Sequence, residues 1–184
     1  MKKLLIPFII IAAVGATASF SVQCHAAESG QDISSQPCKT YQLKGFSVDI
    51  PEEFVKSEGW SSETNMRLNS GATHMMEDGE EYSSSATIDV YQFDDQIQDL
   101  NQCAITMKCS REALDEKCDD PIVADNTILL RTCYDVDDDI VINWHFMVRN
   151  DDGRLAGGVI SYHGKEAKYY DCIVKPIIQS IQFK

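Results

Sequence analysis

The feature that most constrains the fold is "DIVINWHFMVRNDDGRLAGGVISYHG", residues 139 to 164, near the C-terminal end of the chain. Every second residue from Ile140 to Val148 is apolar, which predicts a strand with one buried face. A second alternating run follows and contains Gly157 and Gly158, which leave room for a closely packed helix. The two runs predict a long β-hairpin whose apolar face has to be covered by the rest of the chain.

Asp152-Gly153, between the two runs, is a strong signal for a two-residue hairpin turn. Such a turn fixes the register of the strands that it joins. It pairs Phe146 with Val159 on one face and places His145 opposite Ile160 on the other face. His145 is therefore interpreted as a satisfied sheet residue rather than as a catalytic base.

The other segments alternate between strand and helix patterns. The runs "YQLKGFSVDIPEEF" (41 to 54) and "SATIDVYQF" (85 to 93) alternate like strands. Apolar residues at 97, 100, 104 and 107 recur at helical spacing after a cap at Asp94 or Asp95. The run from 164 to 183 predicts a last helix that Pro176 kinks or ends, followed by a short edge strand. This order predicts an α+β fold, an antiparallel sheet with helices packed on it.

The N-terminal segment has the pattern of a secretory signal peptide. Lys2 and Lys3 precede an apolar run from Leu4 to Val14, which is shorter than the roughly 20 residues of a membrane span. Cleavage after Ala26 fits the pattern, cleavage after Ala18 is the alternative, and an uncleaved anchor is a third interpretation.

The chain is accordingly divided into three parts. Residues 1–26 are predicted to be the signal peptide, residues 27–37 a flexible leader, and residues 38–184 a single α+β domain. No second apolar run reaches membrane length. Export predicts a periplasmic location.

The cysteine content of the exported part predicts disulfide bonds. An oxidising compartment and an even number of cysteines favour structural bridges. The spacings C-x5-C and C-x8-C do not suit zinc, and a thioredoxin-type C-x-x-C is missing. The six candidate residues are Cys38, Cys103, Cys109, Cys118, Cys133 and Cys172.

A turn at Asp125-Asn126 would define the first bridge. If Ala124 faces Thr127 across that turn, the same register places Cys118 opposite Cys133. Antiparallel pairs have Cα separations that suit a disulfide. A Cys118–Cys133 bond is therefore predicted.

The other two bridges are less constrained. Cys103 and Cys109 would be about 9 Å apart along a straight helix, so a bond between them requires a helix break with Ser110 as a new N-cap. Cys38–Cys172 then follows by elimination and would tie the start of the domain to its last helix.

The formal charge of −13 disfavours nucleic acid and anionic lipid as partners and favours a basic protein or a cationic ligand. Simple solubility is the alternative explanation. Two acidic runs, "DVDDD" and "EDGEEY", are the candidate partner-binding segments. Their residues are Asp135, Asp137, Asp138, Asp139, Glu77, Glu80 and Glu81.

Motifs for catalysis or cofactor binding are not found in the sequence. There is no G-x-S-x-G, glycine-rich phosphate loop or H-E-x-x-H. "DVDDD" lacks the glycine and glutamate of an EF-hand loop and is interpreted as an acidic hairpin turn. His74, Met75 and Met76 form the best candidate for a metal, as copper ligands, but a half-buried loop anchor is favoured over them. No catalytic residue, metal or cofactor is predicted.

The openings and ends of the domain, "YQLKGFSVDIPEEF" and "IVKPIIQSIQF", resemble those of the PsbP-like and DcrB-like family. The resemblance implies an α/β/α sandwich built on an antiparallel sheet and a non-enzymatic accessory or partner-binding function. It offers no catalytic residues to transfer.

The predicted function is that of an exported, acidic, non-enzymatic partner-binding protein of the bacterial envelope. Its sharpest form is an inhibitor or immunity protein that neutralises a basic toxin or hydrolase. The alternatives are a general periplasmic accessory protein of the PsbP/DcrB type, and a thiol-redox or metal-binding protein.

Overall fold

A computed structural model describes residues 36–75, 79–94, 97 and 99–184. The predicted signal peptide and residues 27–35 of the predicted leader lie outside this part. The strands are β1 (Cys38–Gln42), β2 (Phe46–Pro51), β3 (Phe54–Lys56), β4 (Asn65–Ser70), β5 (Thr73–Met75), β6 (Glu81–Ser83), β7 (Thr87–Phe93), β8 (Lys117–Cys118), β9 (Ile122–Ala124), β10 (Thr127–Val136), β11 (Asp139–Arg149), β12 (Leu155–His163) and β13 (Gln182–Phe183). The helices are α1 (Leu100–Glu112) and α2 (Ala167–Gln179), and none of the described helices is long and apolar enough to cross a membrane.

An eight-stranded antiparallel sheet forms the centre of the molecule. Its strand order is β3-β4-β7-β12-β11-β10-β8, and β9 also pairs with β10. A three-stranded sheet of β1, β2 and β13 and a separate β5–β6 hairpin complete the strands. The predicted α+β class with a mostly antiparallel sheet is confirmed.

The long hairpin forms as predicted, but its register differs by one residue. Phe146 pairs with Gly158, and His145 pairs with Val159. The turn is longer than two residues, because the Asn150 amide donates to the Arg154 carbonyl and Gly153 has a φ of +81°. The longer turn aligns the apolar faces of both strands, which burial demands more strongly than the turn sequence does.

The inner face of the large sheet carries the main hydrophobic core. Helix α2 and the three-stranded sheet pack on it, and the core there includes Ile88, Phe146, Ile160 and Tyr170. Helix α2 continues through Pro176 instead of ending there. The hydrogen bond that proline cannot make would have ended at the carbonyl of Cys172, on the exposed side of the helix.

The outer face is covered over only part of its area. Helix α1 begins after Asp99, whose carboxylate caps the amides of Asn101 and Gln102, so the cap is neither Asp94 nor Asp95. Its buried residues pack on one end of β10, β11 and β12. This second core consists of Leu100, Ala104, Ile128, Met147 and Leu155.

The six described cysteines form no disulfide bond. The predicted turn at Asp125-Asn126 is present, but an extra residue between β8 and β9 shifts the pairing, so Cys118 faces Thr132 and Cys133 faces Lys117. Neighbouring positions on a strand point to opposite faces. Cys118 therefore lies on the outer face and Cys133 on the inner face, and the predicted bond between them is wrong.

The other two predicted bridges also fail. Helix α1 has no break at Ser110, whose hydroxyl donates to the Thr106 carbonyl within the helix. Cys103 contacts Met147 at 3.9 Å, whereas Cys109 is exposed. Cys38 and Cys172 are both exposed, and the Cys172 sulfur contacts the Tyr169 carbonyl of its own helix.

The two glycines of β12 accommodate aromatic rings rather than a helix. A Cβ at Gly158 would lie 2.0 Å from the carbonyl oxygen of Asp89 and 2.7 Å from the ring of Phe146. A Cβ at Gly157 would lie 2.7 Å from the ring of Phe93 on the other face. The prediction of close packing is right, but its partner is different.

Candidate functional site

The uncovered part of the outer face forms a groove, called here the outer groove. It consists of a large hollow of about 650 Å³ and a small one of about 260 Å³. Asp89 and Val159 line both hollows, so the two adjoin on β7 and β12. The large hollow is also lined by Arg111, Leu114, Asp115, Glu116, Tyr134, Asp135, Asn143 and His145, and the small one by Trp60, Asn65, Met66, Arg67, Val90 and Tyr91.

An ion pair crosses the floor of the small hollow. Arg67 donates from Nε and from one terminal nitrogen to the two carboxylate oxygens of Asp89, at 2.6 and 2.7 Å. The guanidinium also lies 4.9 Å from the centre of the Trp60 ring. The hydrogen bonds to Asp89 raise the pKa of Arg67. The pair is thereby fixed in one orientation, with Trp60 above it.

A buried polar cluster supports the floor of the large hollow. Thr132 donates to Glu116 and lies 3.2 Å from Nε2 of His145, and Glu116 lies 3.8 Å from the same nitrogen. Burial, followed by the charge of Arg111, lowers the pKa of His145 to about 4. His145 is therefore neutral at physiological pH.

The cluster has the residue types of a nucleophile, a base and an acid, but not their geometry. The Thr132 hydroxyl has a single proton, which it donates to Glu116, and its residue is only 1 % exposed. A nucleophile has to reach its substrate while a base takes its proton. This arrangement supports the sheet and does not present a reacting hydroxyl to the groove.

Large apolar side chains are exposed on the rim of the groove. Trp60 is 67 % exposed at one end, and Leu114 and Tyr134 are 65 % and 38 % exposed at the other. Leu114 follows α1 in a turn in which Asp115 has a φ of +60°. Single exposed apolar side chains are common, but those that gather around one groove with a polar rim are typical of surfaces that bind another molecule.

The predicted partner-binding acids are distributed over two places. Asp135 lines the large hollow and pairs with Lys117 at 3.0 Å. Asp137 and Asp138 form the exposed turn between β10 and β11, and Asp139 pairs with His163 at 2.9 Å. The predicted acidic hairpin turn is confirmed.

The second acidic run belongs to the β5–β6 hairpin, away from the groove. Glu80 and Glu81 are exposed there, and Glu77 lies outside the described residues. Lys165 lies 4.8 Å from the Tyr82 ring of this hairpin and 4.0 Å from Asp139, which brings the two acidic runs to one end of the molecule. The role of these acids in binding stays a prediction.

His74 anchors the β5–β6 hairpin to α2. Its Nε2 lies 2.9 Å from the hydroxyl of Tyr170, and its ring stacks on Tyr169 with 3.9 Å between the ring centres. Burial lowers the pKa of His74. Met75 is half exposed on the same strand, and Met76 lies outside the described residues. Across the described ranges, no three His, Cys, Asp or Glu side chains are grouped to hold a metal ion.

Sequence reasoning missed most of the groove. Trp60, Leu114 and the Arg67–Asp89 pair lie in segments with no motif. Arg67 and Asp89 occupy the polar positions of alternating strands, which predicts exposure but not that the two strands are neighbours. Two residues considered in the sequence do line the groove, Asp135 of the acidic run and His145.

Comparison with known proteins identifies the fold of this chain but does not assign it to a family. No protein-family model matches the sequence, and no curated protein sequence matches it. The crystal structure of the Saccharomyces cerevisiae Ran-binding protein Mog1p is similar, with a TM-score of 0.58 and 11 % identity over 80 % of this chain and 96 % of that chain. The structure of a point mutant of protein Mog1 is similar with a TM-score of 0.57 and 11 % identity over the same shares.

These findings correct two predictions. The assignment to the PsbP-like and DcrB-like family is wrong, since no family model matches and the similar solved structures described above are those of Mog1. The periplasmic location is wrong on the same comparison, since the matched Ran-binding protein comes from a yeast and not from a bacterial envelope. What the comparison establishes is that this chain has the fold of Mog1p.

Proposed function

We propose that this chain is a non-enzymatic protein that binds a basic protein partner through the outer groove. The observation that carries the proposal is the uncovered part of the outer face, edged by the exposed side chains of Trp60, Leu114 and Tyr134. An antiparallel sheet can leave one face to water, but large exposed apolar side chains gathered around such a face are typical of a surface that another molecule covers. A partner would supply that cover here.

The charges of the large hollow favour a basic occupant. Four carboxylates line it, those of Asp89, Asp115, Glu116 and Asp135, against one guanidinium, that of Arg111. Arg67, Arg111 and Lys117 pair with Asp89, Glu116 and Asp135, so the net negative charge of the hollow comes from Asp115. The whole chain carries a formal charge of −13. Opposite charges on two binding surfaces speed association and select the partner.

Two further observations support a binding function without catalysis. In the buried cluster beside His145, the Thr132 hydroxyl donates to the Glu116 carboxylate and does not face the groove. The similar structure of Mog1p belongs to a protein that binds Ran. At 11 % identity, this structural similarity supports a protein-binding function for the chain but does not identify its partner.

Affinity measurements on groove variants test the proposal. The full chain is used to capture a partner from an extract of the source cells, and the purified partner is then titrated by calorimetry. Because large aromatic side chains that a partner buries carry much of the energy of an interface, Trp60→Ala is expected to weaken binding about 30-fold. Ile105 is another exposed apolar residue and lies on α1 outside the groove lining, so Ile105→Ala is the control and should change affinity less than about twofold.

Salt provides the second readout. Affinity for the wild-type chain should fall steeply between low and high salt, and the double variant Asp115→Asn/Asp135→Asn should flatten that dependence. A partner whose affinity is unaffected by both Trp60→Ala and the double variant would show that binding occurs elsewhere, and the proposal would fail.

The narrower form of the function is inhibition of a basic enzyme or toxin. The acidic hollow would then occupy a basic cleft on the partner. If the captured partner has an activity, a one-to-one complex should abolish it, and Trp60→Ala should restore it. If the partner keeps full activity in the saturated complex, this chain does not inhibit it, and an accessory role would be the remaining interpretation.

A further inference from the structure

The two ends of the outer groove differ in chemistry. At the end beside α1, the large hollow is lined by Asp115, Glu116 and Asp135. Arg111 pairs with Glu116 and Lys117 with Asp135, so Asp115 leaves this end with a net negative charge. At the other end, the small hollow is lined by the Trp60 and Tyr91 rings, and its two charges neutralise each other in the Arg67–Asp89 pair. One end therefore suits a cation and the other an apolar side chain.

The distance between the two ends follows from the sheet. Arg67 with its stacked Trp60 belongs to the β4 side of the groove, and Asp135 belongs to β10. Four strand spacings separate β4 from β10 in the order β4-β7-β12-β11-β10. At about 4.8 Å per spacing, the ends lie about 19 Å apart.

The floor between the ends does not suit a helix. A docked helix buries a continuous apolar stripe, but Val159 is flanked here by Asp89 on β7 and by His145 on β11. The backbone N–H and C=O groups of an extended segment need hydrogen-bond partners, and the polar side chains on the floor of the groove can provide them. An extended chain rises about 3.3 Å per residue, so about 19 Å corresponds to five or six residues.

We infer that the occupant of the outer groove is an extended segment with two anchors, a lysine or arginine in the large hollow and an aromatic or leucine side chain against Trp60 in the small one, four to six residues apart. A long basic side chain reaches several ångströms beyond its own backbone, so the spacing between the two anchors can be about two residues shorter than six. The inference rests on the proposed function, since it specifies the partner surface that the groove receives.

A set of synthetic peptides tests the spacing. Each fluorescein-labelled peptide carries a Lys-Arg pair and one Phe, separated by Gly/Ser spacers of one to nine residues, and binding to the full chain is followed by anisotropy. Affinity should be greatest with the Phe four to six residues from the basic pair and about fivefold lower at the shortest and longest spacers, as one anchor is lost. An affinity that does not depend on the spacer overturns the inference.

A double-mutant cycle tests which end holds which anchor. Trp60→Ala should weaken the best Phe peptide about tenfold and its Phe→Gly counterpart less than twofold. The variant Asp115→Asn/Asp135→Asn should lose affinity for the Lys-Arg peptide but not for its Gln-Gln counterpart. Ile105→Ala is the control for both.

The outcomes distinguish the inference from the function on which it rests. If Trp60→Ala weakens both peptides of its cycle equally, the assignment of the anchors is wrong. If spacing has no effect but a captured protein partner still loses affinity with Trp60→Ala, the groove binds a partner in another form. If neither peptides nor partner respond to groove variants, both ideas fail.

Discussion

The two faces of the large sheet are made by the same strands but differ in how they are completed. On the inner face, α2 and the three-stranded sheet cover a continuous core in which Phe146 and Ile160 are at most 1 % exposed. On the outer face, α1 covers a smaller core and leaves Asp89, Val159 and Arg67 at the bottom of a groove. Alternate residues of β12 therefore lie in different surroundings, with Ile160 in a continuous core and Val159 in the groove.

This division means that a substitution should act according to the face on which it lies and not according to its place along the chain. Inner-face changes should reduce the free energy of unfolding, because close-packed interiors relax little around a lost or added atom. Outer-groove changes should leave stability nearly unchanged and alter binding. The cluster around His145 should behave in an intermediate way, because its polar side chains belong to the outer face but are buried.

The largest effect is expected from a pair of neighbours on β12. Ile160→Ala should lower the free energy of unfolding by about 4 kcal/mol, because it leaves a cavity in the inner core. Val159→Ala, on the groove side of the same strand, should cost only about 1 kcal/mol. Urea denaturation of both variants gives the comparison, and equal losses would contradict the division into two faces.

The next largest effect concerns the contact between β12 and its neighbours. Gly158→Ala should cost about 3 kcal/mol, because the added Cβ would meet the Asp89 carbonyl oxygen at 2.0 Å. Gly59→Ala is the matched control, since nothing lies within 4 Å of its added Cβ. Thermal unfolding followed by circular dichroism reports both, and a Gly158→Ala variant as stable as Gly59→Ala would rule out the close approach.

A smaller effect should appear as a dependence of stability on pH. Burial lowers the pKa of His145 from 6.5 to about 4, so between these values the unfolded chain binds a proton that the folded chain does not. Stability should therefore fall as pH falls, by about 2 kcal/mol from about pH 8 to about pH 5. Other groups titrate in this range as well, so the measurement is the difference between wild type and His145→Gln. Parallel curves for the two chains would show that His145 is not buried in its neutral form.

The smallest stability effect is expected at the floor of the small hollow. Arg67 is 38 % exposed, and solvent screens its pair with Asp89. Arg67→Gln should cost less than about 1 kcal/mol in stability. It should still change partner affinity, because it removes the cation beneath Trp60. A loss of stability as large as that of Ile160→Ala would place Arg67 in the structural part of the molecule.

Much of the fold could be predicted because its signals are local. Alternation along β7, β11 and β12 and the helical spacing of Leu100, Ala104 and Met107 report which residues are buried, without reference to distant segments. The β10–β11 turn and the edge strand β13 were predicted for the same reason. Errors arose where one residue of register matters, at the long hairpin and at Cys118, since a shift of one position moves every side chain to the other face.

The candidate site could be predicted only in part, because its residues come from separate segments. Asp135 was identified by its acidic neighbours, but Trp60, Arg67 and Leu114 have no shared pattern in the sequence. Asp89 and Arg67 are 22 residues apart and become partners only because β4 pairs with β7. The disulfide predictions failed for a related reason. The spacing of cysteines along the chain does not show on which face of the sheet each sulfur lies.

The sequence by itself determined the α+β class, the long hairpin, the two helices and the acidic surface, since hydrophobic periodicity and net charge are properties of short windows or of the whole composition. The tertiary structure alone decided the strand order, the one-residue register of the hairpin and the position of α1 over only part of the outer face. These depend on how distant apolar faces share one core, and the groove is the area that this sharing leaves uncovered.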